Sequence, residues 1–306
     1  MQGTLLVMEE FAKSITLDNK RARYYDLSSL NKPNMNKAKR VAHFYGGNGF
    51  TVGNYLPLIG ELAKGFEMHA LAMRGYWFDK PKERVLTREK DADMLIEFLE
   101  KTQDKAIVAI GHSQGATATA MAAAKRPELF AELYLIEPVT FTKAQSTLYN
   151  LLPRAFLQTQ EPFKSTLAKQ KTWPSIEAYY EHLRSKNAYR RISDEHLQLF
   201  VEQSLVANSN SNGDGSYELL FAPKYELASY FGTPYIDPAL KQLQHSKVPY
   251  TLITGKPTIF INDKVRKQWQ TFVPNDRLIT LPDYGHLLPI EAPKICADII
   301  LQHMKQ

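Results

Sequence analysis

Ser113 is the residue of this chain best placed to make and break a covalent bond. It stands in Gly111-His112-Ser113-Gln114-Gly115, directly after the apolar run at residues 106–110 and directly before an alanine-rich stretch with helical spacing. A strand, a sharp turn and a helix in that order hold a serine on a strained tip with its hydroxyl in the open. Gly111 and Gly115 flank it because side chains there would collide where strand and helix nearly touch. The helix N-terminus lies beneath the serine and favours negative charge at that point. A serine hydroxyl is a weak nucleophile at neutral pH, so it needs a base. Among the eight histidines, His286 lies just after the last strand pattern, whereas His112 and His43 read as residues that pack or hydrogen-bond locally.

From about Arg40 to the C-terminus the chain resembles the α/β-hydrolase family, and the serine turn and the segment around His286 carry the resemblance. In that family a Gly-His pair, an apolar patch and Glu-x-Pro close the site, with the histidine as base. Tyr284-Gly285-His286-Leu287-Leu288-Pro289-Ile290-Glu291-Ala292-Pro293 has this form, and serine precedes histidine in the chain as it does in the family. The resemblance also implies an acid that holds the imidazole in one tautomer. Most members carry an aspartate in a G-x-x-D pattern after the penultimate strand. Here the segment reads Gly255-Lys256-Pro257-Thr258, with threonine at the aspartate position. Two carboxylates could replace it. Glu137 ends the strand after the nucleophile helix, the place that pancreatic-type lipases use, and it is the preferred reading. Asp263 is the alternative and would require the loop after Gly255 to fold back. The family's oxyanion hole uses two backbone N–H groups. Gln114 follows the nucleophile, and Gly46-Gly47-Asn48-Gly49-Phe50, matched to H-G-x-G-F with Gly46 replacing the histidine, puts the second donor at Asn48.

The elements that must hold these residues alternate. Strand patterns fall at residues 21–27, 40–45, 66–73, 106–110 and 133–136, with helical spacing at 54–64, 87–101 and from Gln114 to about Ala124. This spacing implies βαβ units and a mostly parallel sheet. Between residues 139 and 247 the alternation stops. The pattern there is helical and rich in aromatics, from Trp173 and Tyr179 to Tyr189, Tyr230 and Phe231, and residues 208–215 form a polar loop tract. Strands resume at 248–255 and 277–281, and a helix from 289 to 305 closes the chain. The expected fold is α/β, an α/β-hydrolase core at residues 1–138 and 248–306, with a mostly parallel sheet flanked by helices. Residues 139–247 form an inserted helical cap, placed where it can cover a site at the strand ends. Its aromatics would line a mostly apolar pocket.

Composition bounds the partners. The chain has 306 residues, room for one large domain with an insertion. One cysteine, Cys296, excludes an internal disulfide, fits a reducing compartment and reads as a buried structural thiol. The apolar run within residues 1–10 is too short for a signal peptide, so a cytoplasmic location is expected. No stretch approaches a membrane span. The net charge of +6 is spread out, with one small cluster at Lys37, Lys39 and Arg40, which argues against a nucleic-acid partner. No metal-ligand spacing and no phosphate-binding glycine loop is present, so neither metal nor cofactor is expected. Serine at position 113 argues against epoxide opening and halide displacement, which family members perform with an aspartate. The expected activity is hydrolysis of a carboxylic ester or related acyl bond in a small or medium apolar substrate. Thioesters, amides, lactones and certain C–C bonds would use the same residues. The rival reading is a binding or signalling protein on a hydrolase scaffold, and threonine at position 258 is the feature that favours it.

Overall fold

A computed structural model describes residues 8–30, 39–208, 215–258 and 260–303. Most of the N-terminal apolar run, Lys37 of the basic cluster, residues 209–214 of the polar tract and residues 304 and 305 of the closing helix pattern lie outside these. The strands are β1 (Ala12–Leu17), β2 (Lys20–Asp26), β3 (Arg40–Tyr45), β4 (Phe66–Leu71), β5 (Ile107–His112) and β6 (Phe130–Ile136). They continue with β7 (Thr172–Trp173), β8 (Leu205–Ala207), β9 (Tyr217–Leu219), β10 (Tyr250–Lys256) and β11 (Leu278–Pro282).

Eight of them form one sheet in the order β1-β2-β4-β3-β5-β6-β10-β11. From β4 to β11 every pairing is parallel, and β1 and β2 join as an antiparallel hairpin at the β4 edge. Every residue of β5 is buried, as the unbroken apolar run required, because a strand covered on both faces has no polar side to show. The chain passes from β3 outward to β4 and then back across to β5. With right-handed crossovers this reversal puts the helix Leu56–Leu62 on one face and the helices Arg88–Thr102 and Gln114–Lys125 on the other. The closing helix Pro293–His303 packs on Leu56–Leu62, and the helix Asp237–Gln244 packs on Gln114–Lys125. The C-terminal ends of β3 and β5 flank the reversal, and there an open α/β sheet leaves a crevice.

Three features differ from the sequence pattern. β1 was not anticipated. It lies at the sheet edge, where half its residues face solvent, and turns into β2 through Asp18 and Asn19, both at positive φ. The closing segment is two helices, Leu288–Glu291 and Pro293–His303. They part at Ala292, whose backbone leaves the helical region ahead of a proline. Between β6 and β10 the expected helices are joined by a small antiparallel sheet, β7-β9-β8. Cys296 is fully buried, and burial pushes its thiol pKa up. Among the described residues no helix is long and apolar enough to cross a membrane.

Candidate active site

Ser113 sits between β5 and the helix Gln114–Lys125 with φ of 55°, a region that a non-glycine residue enters only under strain. The surrounding backbone holds it there: its N–H donates to the Ile136 carbonyl at 3.0 Å, and its carbonyl accepts from the Thr117 N–H at 3.2 Å. The two flanking glycines are obligatory on contact grounds. A Cβ on Gly111 would lie 2.5 Å from the Ala116 Cα, and one on Gly115 would lie 2.3 Å from the carbonyl oxygens of Tyr45 and Gly46. The latter contact is the close approach of the β3 turn to the serine turn.

The Ser113 hydroxyl lies 2.9 Å from His286 Nε2. On the far side of the ring, His286 Nδ1 lies 3.1 Å from Glu137 Oε2. Glu137 follows β6 directly, is completely buried and takes φ of 48°. Its N–H donates to the Ile253 carbonyl, so pairing with β10 sets its position. Three donors converge on its carboxylate: the Gly255 N–H at 2.6 Å on Oε1, and the Thr258 hydroxyl and His286 Nδ1 on Oε2. Thr258 thus occupies the expected aspartate position as a donor to the glutamate. Asp263 is not brought to the histidine. It opens the helix Asp263–Trp269, its side chain is 73% exposed, and it faces Lys256 Nζ at 3.4 Å.

The loop that carries His286 is held on several sides. The Gly285 N–H donates to Glu291 at 2.7 Å, which gives the glutamate of the Glu-x-Pro segment its task, and burial raises the Glu291 pKa. The His286 ring stands edge-on to Phe260, with centroids 4.5 Å apart. His112 is fully buried and bridges two loops: its Nε2–H donates to the His286 carbonyl at 2.9 Å, so its Nδ1 must accept, and the Tyr55 hydroxyl donates there at 2.8 Å. Tyr55 in turn accepts from the Gly47 N–H at 2.8 Å. Burial and the neighbouring His286 hold the His112 pKa well below 6.5, which keeps this relay neutral.

Gln114 is the first residue of its helix, so its N–H precedes the intrahelical ladder. Asn48 lies on the β3 turn, with its side-chain amide donating to the Glu226 carbonyl at 2.9 Å. Among the described residues neither of these two backbone N–H groups has a hydrogen-bond partner. Both residues line a cavity of about 370 Å³ that also contains Ser113 and His286. The rest of its wall is mainly apolar and aromatic, including Phe50, Phe141, Tyr149 and Phe163. Of the aromatics noted between residues 139 and 247, Tyr189 and Tyr230 reach this cavity, whereas Trp173 and Tyr179 pack on each other with centroids 4.9 Å apart. The polar side chains in the wall include Lys169 and Glu226, an ion pair at 2.8 Å.

Sequence reasoning missed one anchor. Arg88 is completely buried and donates to the Gln114 side chain and, at 2.8 Å, to Ser229 Oγ, while facing Asp91 at 2.9 Å. It ties Gln114, which follows Ser113, to Ser229 in the segment between β6 and β10. The available signal was its place: an arginine as the first residue of a helix opposes the helix dipole and asks for a specific partner.

The family model for the α/β hydrolase fold matches residues 43–293. An uncharacterized hydrolase of Bacillus subtilis, YugF, is 24% identical over 230 residues, which cover 74% of this chain and 76% of that protein. Among solved structures, E-2-(acetamidomethylene)succinate hydrolase superposes with a TM-score of 0.74 at 16% identity, over 96% of this chain and 99% of its own. The thioesterase domain from the curacin biosynthetic pathway gives 0.71 at 18% identity, over 95% and 98%. The chain belongs to the α/β-hydrolase family.

Proposed function

We propose that the protein is a serine hydrolase that cleaves a carboxylic ester or related acyl bond of a small or medium apolar substrate through an acyl-enzyme. The observation that carries the reading is the unbroken hydrogen-bond chain from Ser113 Oγ through His286 to the buried Glu137, opening onto an apolar cavity. In this reading Ser113 Oγ attacks the carbonyl carbon as His286 Nε2 takes its proton. Glu137 holds Nδ1–H and stabilises the imidazolium. The Gln114 and Asn48 N–H groups receive the oxyanion, a role worth about 3–4 kcal/mol per donor. His286 then protonates the leaving group, and water, activated by the same nitrogen, releases the acyl group and restores Ser113. Residues 139–247 act as a cap that supplies aromatic wall to the pocket. The single, buried Cys296 fits a cytoplasmic setting.

A fluorophosphonate probe tests the reading without knowledge of the substrate. The expected result is rapid labelling of the wild type that is abolished in Ser113→Ala. A well-folded wild type that does not label would overturn the mechanism and leave a binding protein on a hydrolase scaffold.

A further inference from the structure

Among the described residues five large apolar side chains stand exposed, and four of them, Leu148, Leu151, Phe156 and Leu167, fall in one short stretch of the inserted segment. Leu151 is 78% exposed. Single exposed apolar side chains are ordinary, but four on three consecutive short helices point to a surface that something covers. Leu148 and Leu151 lie one turn apart on the helix Lys143–Leu151. Phe156 follows on Arg154–Leu157, and Leu167 ends Phe163–Leu167. Tyr149 stacks on Phe163 with centroids 6.4 Å apart, which holds the first and third of these helices side by side.

The charge around this group is mainly positive. Between Lys143 and Leu167 the chain carries Lys143, Arg154 and Lys164 against a single acid, Glu161. All three cations are exposed, and among the described residues none is in an ion pair. Arg154 also opens into a surface groove of about 450 Å³ that it shares with Lys82, Arg84 and Lys224. The acid in that groove, Glu83, is engaged by Lys20 at 2.7 Å. A cationic groove thus adjoins the apolar group at Arg154.

We propose that this face docks the protein on the surface of a membrane that contains anionic lipid. The four apolar side chains enter the boundary of the acyl region, and Lys143, Arg154, Lys164 and the groove cations meet headgroup phosphates. A second copy of the chain fits the face less well, because a two-fold contact would set the same unpaired cations against each other. Tyr149 and Phe163 of the same helices line the Ser113 cavity, so docking brings a wall of that cavity to the lipid surface. The inference does not depend on Ser113 chemistry, and its test reads binding rather than turnover.

The experiment is co-sedimentation with phosphatidylcholine vesicles, with and without phosphatidylserine, at low and high salt. Wild type is expected to bind the anionic vesicles and to lose most of that binding at high salt. Leu151→Asp with Phe156→Asp should lower the bound fraction at least about tenfold, and Arg154→Glu with Lys224→Glu should do the same on anionic vesicles alone. Circular dichroism and thermal midpoints verify that these surface variants fold. Three outcomes overturn the proposal: no binding of wild type to anionic vesicles, equal binding by the Leu151→Asp/Phe156→Asp variant, or a dimer in solution that this variant breaks while vesicles stay unbound.

Discussion

Glutamine at position 137 keeps the shape of the side chain and removes its charge, and the surrounding hydrogen bonds dictate how the amide must sit. The Gly255 N–H donates at 2.6 Å to the position of Oε1, so the amide oxygen stays there. The NH₂ group then takes the place of Oε2, 3.1 Å from His286 Nδ1. An NH₂ at that point donates, so Nδ1 must accept and the ring proton moves to Nε2. That nitrogen faces Ser113 Oγ at 2.9 Å, and in this tautomer it cannot take the serine proton. The loss expected in kcat is about 10³–10⁴-fold, or about 4–5.5 kcal/mol of barrier. Folding should survive, because the Thr258 hydroxyl can turn from donating to the carboxylate to accepting from the amide. Steady-state hydrolysis of a p-nitrophenyl ester and the rate of fluorophosphonate labelling both read the effect. Asp263→Asn, which alters an exposed side chain beside Lys256, should stay within about twofold of wild type. If Glu137→Gln keeps its rate within about tenfold of wild type, or Asp263→Asn loses more than Glu137→Gln does, Glu137 does not set the tautomer of His286.

Gly115→Ala drives a Cβ against two backbone carbonyls at 2.3 Å, and neither can move without displacing the β3 turn. A stability loss of about 3 kcal/mol or a failure to fold is expected, read from urea midpoints. Stability should also fall in mild acid. Burial holds the His43 pKa down to about 3 and that of His112 well below 6.5, whereas both titrate near 6.5 in the unfolded chain. The unfolded state therefore binds protons that the native state refuses. The contribution is complete above pH 6.5 and is lost as pH falls from there toward the folded values. Near pH 5 His43 costs about 2 kcal/mol relative to pH 8, and His112 adds to the loss in the same direction. Urea midpoints across that range verify the slope, and His43→Gln, which can still accept from the Leu71 N–H, should remove the roughly 2 kcal/mol due to His43.

Much of this architecture was legible because buried parallel strands are written as apolar runs. β5 and β6 could be read directly, and the serine turn between β5 and its helix follows from a local pattern of seven or eight residues. What escaped was either too short or too exposed to carry a period. β1 alternates only weakly, and β7 to β9 span two or three residues each. Arg88 escaped for another reason: its partners Gln114 and Ser229 lie 26 and 141 positions away.

Glu137 shows the same division between local and long-range information. That an aspartate is missing at position 258 is a local fact. Which carboxylate stands near His286 depends on the pairing of β6 with β10. The register that sets Ile136 beside Ile253 carries Glu137 to the Gly255 N–H and the Thr258 hydroxyl. In this geometry Thr258 and Glu137 imply each other. An aspartate at 258 would set a second carboxylate within hydrogen-bond reach of the first, and one of the two would have to hold a proton. Thr258→Asp in the wild-type background should therefore weaken activity at neutral pH. In the Glu137→Gln background the same change supplies the missing charge and should recover at least about tenfold. A double-mutant cycle on kcat decides the point. Opposite signs for Thr258→Asp in the two backgrounds mean that the site is built for one negative charge. A loss in both backgrounds would mean that the hydroxyl matters for some reason other than the charge it donates to.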